Sequence, residues 1–127
     1  KLNVAFIGSG GWIAQQPYNQ GCSEENLVAF CDVDRNLSAE NMKNWQTKQP
    51  FFDDFRVMLD KLHKEIDAVV ISTPDHTHFA ATLAAITALA QKEERPAGSI
   101  CYDLGDPADD FYVVRSGILD VEIELAE

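Results

Sequence analysis

The apolar run Val4–Ile7, which passes directly into Gly8-Ser9-Gly10-Gly11, constrains the fold of this 127-residue chain more than any other feature. Consecutive apolar residues that end at a turn are typical of a strand buried on both faces of a parallel sheet. Gly8 permits a sharp bend, and Gly10 lets the backbone approach a pyrophosphate, whose charge then lies at the N-terminus of the next helix. The motif therefore predicts a strand, a phosphate-binding turn that includes Gly11, and a helix.

Trp12 and Ile13 continue this turn, and Ile13 stands where the dinucleotide-binding pattern has its third glycine. That glycine lets the helix pack closely on the strand, so a side chain at Ile13 should push the helix away unless Ala14 restores close packing. Short glycine clusters also form ordinary strand-to-helix turns. The turn alone therefore leaves a phosphate-binding and a purely structural interpretation open.

A second apolar strand, Leu27–Cys31, ends at Asp32, at about the twenty-residue distance expected after a dinucleotide-binding glycine turn. We predict that Asp32 binds the ribose, because a carboxylate accepts hydrogen bonds from ribose hydroxyls and repels the extra phosphate of NADP. NAD is therefore the predicted cofactor. Arg35 could hold a phosphate, so NADP stays an alternative, and both side chains could instead be solvated groups near a helix start.

A third strand, Asp67–Ser72, runs into Thr73-Pro74-Asp75-His76-Thr77-His78. Two histidines two residues apart could bind a metal, but no cluster of Cys, Asp or Glu completes a site nearby, so no metal site is predicted. The histidines could also simply flank a helix that begins near Asp75.

Helical patterns separate the three strands. One spans Asn36–Trp45, and a second, capped by Asp53 or Asp54, has core residues on one face, namely Phe55, Met58, Leu59 and Leu62. Strands that alternate with helices predict a right-handed, parallel α/β sheet, so the fold class is a Rossmann-like parallel sheet.

In this order, the segments VAFIGSGGWIA, LVAFCDVD and DAVVISTPDHTH resemble the N-terminal NAD(P)-binding domain of the Gfo/Idh/MocA oxidoreductases over about residues 2–85. The resemblance implies a sugar or polyol oxidoreductase with a dinucleotide cofactor. It also implies that Ser72, Thr73 and Pro74 offer backbone contacts beside the nicotinamide. His76 and His78 would then lie near the ribose or the substrate entrance.

The continuation that the resemblance implies, a fifth strand and a Glu-Lys-Pro motif, does not follow in the sequence. Glu94-Arg95-Pro96 echoes that motif, but a guanidinium stays charged and is a poor proton donor. We therefore predict no catalytic residue. Residues 1–90 are expected to be an incomplete dinucleotide-binding domain that is not catalytically competent alone, and a non-catalytic nucleotide-binding or assembly module is the alternative.

Residues 91–127 have a β-rich pattern that predicts an antiparallel hairpin. The parallel sheet of residues 1–90 is accordingly expected to be truncated. In the last predicted strand, apolar residues alternate with acidic ones from Leu119 to Leu125. The stretch from about 96 to 125 resembles the opening strands of a cyclic nucleotide-binding jelly roll, without that family's phosphate-binding cassette. The acidic faces would repel a cyclic phosphate. The hairpin could cover an open sheet edge or pair with another copy, so self-association through it is an open alternative.

Charge differs between the two parts. Residues 1–88 carry seven basic and eleven acidic side chains, whereas residues 89–127 carry three and ten. This shift is compatible with a fusion of two parts, although an acidic surface ribbon would look the same. The net charge of −11 argues against nucleic acid and anionic membrane partners, because both would repel it.

The remaining features concern the compartment. No segment is long and apolar enough to span a bilayer. Cys22, Cys31 and Cys101 have neither disulfide nor zinc spacing, which favours a reducing compartment and predicts a cytoplasmic location. Because the chain starts at Lys1, a removed N-terminal signal stays an alternative.

Overall fold

A computed structural model describes residues 1–90, 94–101 and 116–117. The chain divides into two units, Lys1–Lys92 and Glu93–Glu127. All helices and strands within the described residues belong to the first unit.

The first unit contains a four-stranded parallel sheet. Its strands are β1 (Asn3–Ile7), β2 (Asn26–Cys31), β3 (Phe51–Phe52) and β4 (Ala68–Ile71), in the spatial order β3-β2-β1-β4. The predicted Rossmann-like parallel sheet is therefore confirmed. The chain first adds β2 and β3 on one side of β1 and then crosses to β4 on the other side. In open α/β sheets, ligands bind at the carboxyl ends of the strands at such a reversal.

The helices are α1 (Gln15–Gln20), α2 (Arg35–Asn44), α3 (Phe55–Leu62) and α4 (Asp75–Leu89), with a 3-10 turn at Cys22–Glu24. Asp34 caps the N-terminus of α2, and its carboxylate accepts hydrogen bonds from the backbone N–H groups of Asn36 and Leu37 at 2.9 and 3.2 Å. Asp54 caps α3 in the same way through the N–H of Arg56 at 2.9 Å. Of the two predicted caps for α3, Asp54 is therefore the one used.

Side chains that alternate along β1 and β2 build two cores. On one face, Ala5, Ile7, Ala29 and Cys31 pack with residues of α3 and α4, which include the predicted core residues Met58 and Leu59. On the other face, Val4, Phe6 and Phe30 pack with Ala14 and Trp45. Both faces of the central strands are thus buried, as their continuous apolar sequences predict.

Most of the predicted C-terminal hairpin, including its last strand, lies outside the described residues. The parts of it that are described, 94–101 and 116–117, contain no strand. In the Glu94-Arg95-Pro96 segment, Arg95 Nη1 donates a hydrogen bond to the carbonyl oxygen of Ile100 at 2.7 Å. Of the helices in the described part of the chain, none has the length and apolar character to cross a membrane.

Candidate functional site

The turn after β1 is held against two neighbouring strand ends. The backbone N–H groups of Gly8 and Ser9 both donate to the carbonyl oxygen of Cys31, at 2.8 and 3.2 Å. Gly8 has φ +83°, and a Cβ atom there would lie 2.7 Å from both the carbonyl carbon of Ser72 and the nitrogen of Thr73. Only glycine therefore allows the ends of β1 and β4 to approach this closely.

Asp32 is drawn toward the same turn. Its Oδ2 atom accepts a hydrogen bond from the N–H of Gly10 at 2.7 Å, and its Oδ1 atom accepts one from the N–H of Asp34 at 2.9 Å. A Cβ atom at Gly10 would lie 3.0 Å from that Oδ2 atom. Because each carboxylate oxygen has more than one acceptor site, Asp32 keeps capacity for ligand hydroxyls while it holds the turn.

Four successive backbone amides follow the hydrogen-bonded amides of residues 8–10. Within the described residues, the backbone N–H groups of Gly11, Trp12, Ile13 and Ala14 donate no hydrogen bond, whereas those of residues 8–10 do. Gly11 has φ +69°, which turns the chain toward α1. Consecutive unpaired N–H groups of this kind make a site for an anion. They precede a helix of only six residues, so the turn itself supplies most of the donors.

Ile13 does not separate the helix from the strand. Its side chain is 47% exposed, whereas that of Ala14 is fully buried against Phe6 and its neighbours. The close contact that the third glycine of the pattern would make is thus made by Ala14. Trp12, at 70% exposed, lies on the outside of the turn.

A buried polar network supports the turn from α2, and no sequence motif indicated it. The side-chain amide of Asn41 donates to the carbonyl oxygens of Ser9 and Gly11, both at 2.8 Å, and accepts from Gln15 Nε2 at 2.7 Å. The hydroxyls of Ser9 and Ser38 are hydrogen-bonded to each other. The sequence signal that could have indicated this network is a pair of polar residues, Ser38 and Asn41. They lie three positions apart on a helix face that also carries Trp45.

Arg35 is directed toward β3. Its Nη2 atom lies 3.1 Å from Asp53 Oδ2, and its guanidinium carbon lies 4.3 Å from the centre of the Phe51 ring. The structure therefore brings Asp32 to the glycine turn but pairs Arg35 with another side chain.

The segment after β4 is fixed by its own hydrogen bonds. Ser72 N–H donates to the carbonyl oxygen of Ile7 at 2.8 Å, and the carbonyl oxygen of Pro74 accepts from the backbone N–H and the hydroxyl of Thr77. His78 Nε2 contacts the carbonyl oxygen of Thr73, and His76 is exposed. Both histidines thus lie in the first turn of α4, and no group of three metal-binding side chains occurs among the described residues.

The strand ends nearby are strongly acidic. Burial, the largest cause, and the carboxylates of Asp32, Asp54 and Asp53 together raise the pKa of the Cys31 thiol from 9.0 to about 12. Cys31 is therefore a protonated core thiol rather than a nucleophile. The same carboxylates place negative charge where β2 and β3 end.

Residues 2–91 match the family model for Gfo/Idh/MocA proteins, described as an oxidoreductase family with an NAD-binding Rossmann fold. No curated protein matches the chain. The match gives no support to a cyclic nucleotide-binding resemblance or to a fusion.

Solved structures of similar fold include scyllo-inositol dehydrogenase from Lactobacillus casei with bound NAD(H) and scyllo-inositol, at 20% identity and a TM-score of 0.55 over 70% of this chain and 26% of that chain. An NAD binding oxidoreductase from Klebsiella pneumoniae has 24% identity and a TM-score of 0.51 over 69% of this chain and 25% of its own. UDP-N-acetylglucosamine 3-dehydrogenase GnnA from Acidithiobacillus ferrooxidans has 27% identity and a TM-score of 0.51 over 68% of this chain and 27% of its own.

This chain therefore spans about a quarter of the length of each of these three proteins. The family match, by contrast, covers well over half of this chain, from the first residues of β1 to the end of α4. The chain belongs to the Gfo/Idh/MocA oxidoreductase family, through its NAD-binding Rossmann fold.

Proposed function

We propose that residues 2–91 bind NAD across the carboxyl ends of β2, β1 and β4. The pyrophosphate would lie on the unpaired amides of residues 11–14, and Asp32 would accept hydrogen bonds from the adenosine ribose. The nicotinamide half would extend along Ser72, Thr73 and Pro74 toward His76 and His78. The single observation that carries this proposal is the row of unpaired amides directly beside a carboxylate that holds Gly10.

NAD rather than NADP is the cofactor that this arrangement favours. A 2′-phosphate on the adenosine ribose would lie near the carboxylate of Asp32, which repels it. Arg35 could stabilise such a phosphate, but its guanidinium is paired with Asp53. NADP is therefore the weaker proposal of the two cofactors.

We propose a sugar- or polyol-type substrate class for the complete reaction. NAD, when bound, would supply the hydride acceptor for oxidation of a hydroxyl-bearing carbon. Two of the structurally similar proteins are dehydrogenases of an inositol and of a nucleotide sugar, which is the support for this class. The described residues of this chain contribute cofactor binding and orientation, and we assign none of them as the group that accepts the hydroxyl proton.

Tryptophan fluorescence tests the cofactor site. Trp12 lies exposed in the turn, whereas Trp45 is buried and stacks on Tyr18 at 4.6 Å between ring centres. The indole N–H of Trp45 has no hydrogen-bond partner among the described residues, so Trp45→Phe should preserve the packing and leave Trp12 as the reporter. We expect NADH to quench this variant in a saturable way.

The ribose contact is tested in the same background. Asp32→Asn should raise the NADH dissociation constant about tenfold, because a hydrogen bond to a charged group contributes roughly 1.5 kcal/mol. Asp60→Asn, which removes the same charge from the exposed surface of α3, should leave the dissociation constant unchanged. No NADH quenching in the folded Trp45→Phe variant would contradict the proposed function.

A further inference from the structure

We infer that Asp53 is a specificity-determining residue, which holds Arg35 away from the adenosine ribose and thereby adds to the preference for NAD over NADP that Asp32 gives the site. The inference rests on the proposed function, because it concerns the same cofactor site. Asp53 acts through Arg35, so it is a positioning residue.

The geometry shows two restraints on one guanidinium. Arg35 Nη2 donates to both carboxylate oxygens of Asp53, at 3.2 and 3.1 Å. The guanidinium also lies over the Phe51 ring, 4.3 Å from its centre, which is within range for a cation–π contact. The two partners, Asp53 and Phe51, lie in or directly after β3, so the Arg35 side chain extends toward that strand.

The position of Arg35 makes this restraint matter for the cofactor. Arg35 is the first residue of α2 and stands three residues after Asp32, the proposed ribose ligand. A guanidinium binds phosphate well, because its planar donors match the phosphate oxygens. A 2′-phosphate could recruit Arg35 only by displacing it from Asp53.

The restraint on Arg35 is modest in strength. It should therefore change the ratio of the NADH and NADPH dissociation constants without abolishing NADPH binding. The side chains of Arg35 and Asp53 are 60% and 69% exposed, and exposed ion pairs shift equilibria by up to about fivefold. The effect should also decrease as salt screens the pair.

The test measures the dissociation constants of NADH and NADPH for the full chain, for Asp53→Asn, for Arg35→Gln and for the double variant. Asp53→Asn should tighten NADPH binding about three- to fivefold and change NADH binding less than twofold. In the Arg35→Gln background, the same Asp53 substitution should have little effect on NADPH. Glu40→Gln, which removes one charge from the exposed surface of α2, is the control and should leave the ratio unchanged.

Two results would overturn the inference while the proposed function stands. The first is unchanged NADPH binding in Asp53→Asn with normal NADH binding. The second is an equal gain for NADPH with and without Arg35, which would mean that Asp53 repels the phosphate directly and does not act through Arg35. Absence of NADH binding in every folded variant would overturn the proposed function, and the inference with it.

Discussion

At the scale of single residues, the turn begins and ends with a glycine of positive φ. The two positions require glycine for different reasons. Gly8 and Gly11 have φ of +83° and +69°. At Gly8 an added Cβ would strike the backbone of Ser72 and Thr73, whereas at Gly11 it would meet nothing within 4 Å. The sequence motif predicted both glycines as site residues, but it could not separate a packing requirement from a conformational one.

Alanine substitution separates these two requirements. Gly11→Ala should cost about 1 kcal/mol of unfolding free energy, the usual penalty for a left-handed backbone with a side chain. Gly8→Ala should cost roughly 1–3 kcal/mol more, because the new methyl group also overpacks against backbone that cannot rotate away. Urea unfolding monitored by circular dichroism measures both values, and equal costs would contradict the proposed contact with Ser72.

Cys31 provides a pH-dependent prediction. Its pKa is raised in the folded state to about 12 from 9.0, so its contribution to stability is complete below pH 9 and is lost as the pH rises toward 12. In that window, the unfolded thiol ionises and the folded one does not, which lowers the unfolding free energy by up to about 1.4 kcal/mol per pH unit.

Cys31→Ala removes this titration, so its unfolding free energy should fall less steeply than that of the wild type between pH 9 and 11. Other groups that titrate there are common to both proteins and cancel in the comparison. Identical slopes for the two proteins would show that the Cys31 thiol is not shielded.

At the scale of elements, α2 illustrates what could and could not be predicted. The sequence placed this helix within one residue of its observed start and end, because the spacing of its apolar residues is a local signal. Its buried polar residues, Ser38 and Asn41, were not predicted. Their partners lie in the turn after β1, about thirty positions away, and such pairing depends on tertiary structure rather than on periodicity.

Asn41 should therefore matter both for stability and for binding. Asn41→Ala leaves the carbonyl oxygens of Ser9 and Gly11 without their side-chain donor, which should cost about 2 kcal/mol. The loosened turn should also raise the NADH dissociation constant severalfold. Asn44→Ala, at the exposed end of α2, is the control, and comparable losses in both variants would argue against a role for Asn41 in the turn.

Other elements also combine features that the sequence could predict with features that depend on tertiary structure. The order of β1, β2 and β4 followed from their apolar runs, although β3 was not among the predicted strands, and three separate segments carried the family resemblance that the family match confirms. The direction of Arg35 could not follow from sequence, because it depends on where β3 places Asp53 and Phe51. Likewise, only the packed structure shows that Ala14 rather than Ile13 faces the core.

At the scale of the whole molecule, both hydrophobic cores lie within the first unit. Every buried residue of the two clusters falls between Val4 and Ala85. Among the described residues, the packing on both faces of the sheet therefore comes from within the unit Lys1–Lys92.

A chain restricted to residues 1–92 should consequently unfold cooperatively and bind NADH with the affinity of the full chain. Its urea dependence should follow from the surface that a domain of this size exposes on unfolding, with a slope of about 1 kcal/mol per molar urea. Full-length protein measured under the same conditions is the control. A non-cooperative transition for residues 1–92 would mean that the fold of the first unit depends on residues beyond it.

Backbone amide NMR tests whether the unpaired amides of the turn receive the cofactor's pyrophosphate. On saturation with NADH, we predict that the amide proton signals of Gly11, Trp12 and Ile13 shift downfield, because new hydrogen bonds to phosphate deshield them. The amides of Gly8 and Ser9, already bonded to Cys31, should shift much less. Unchanged signals for Gly11, Trp12 and Ile13 at saturating NADH would contradict pyrophosphate binding at this turn.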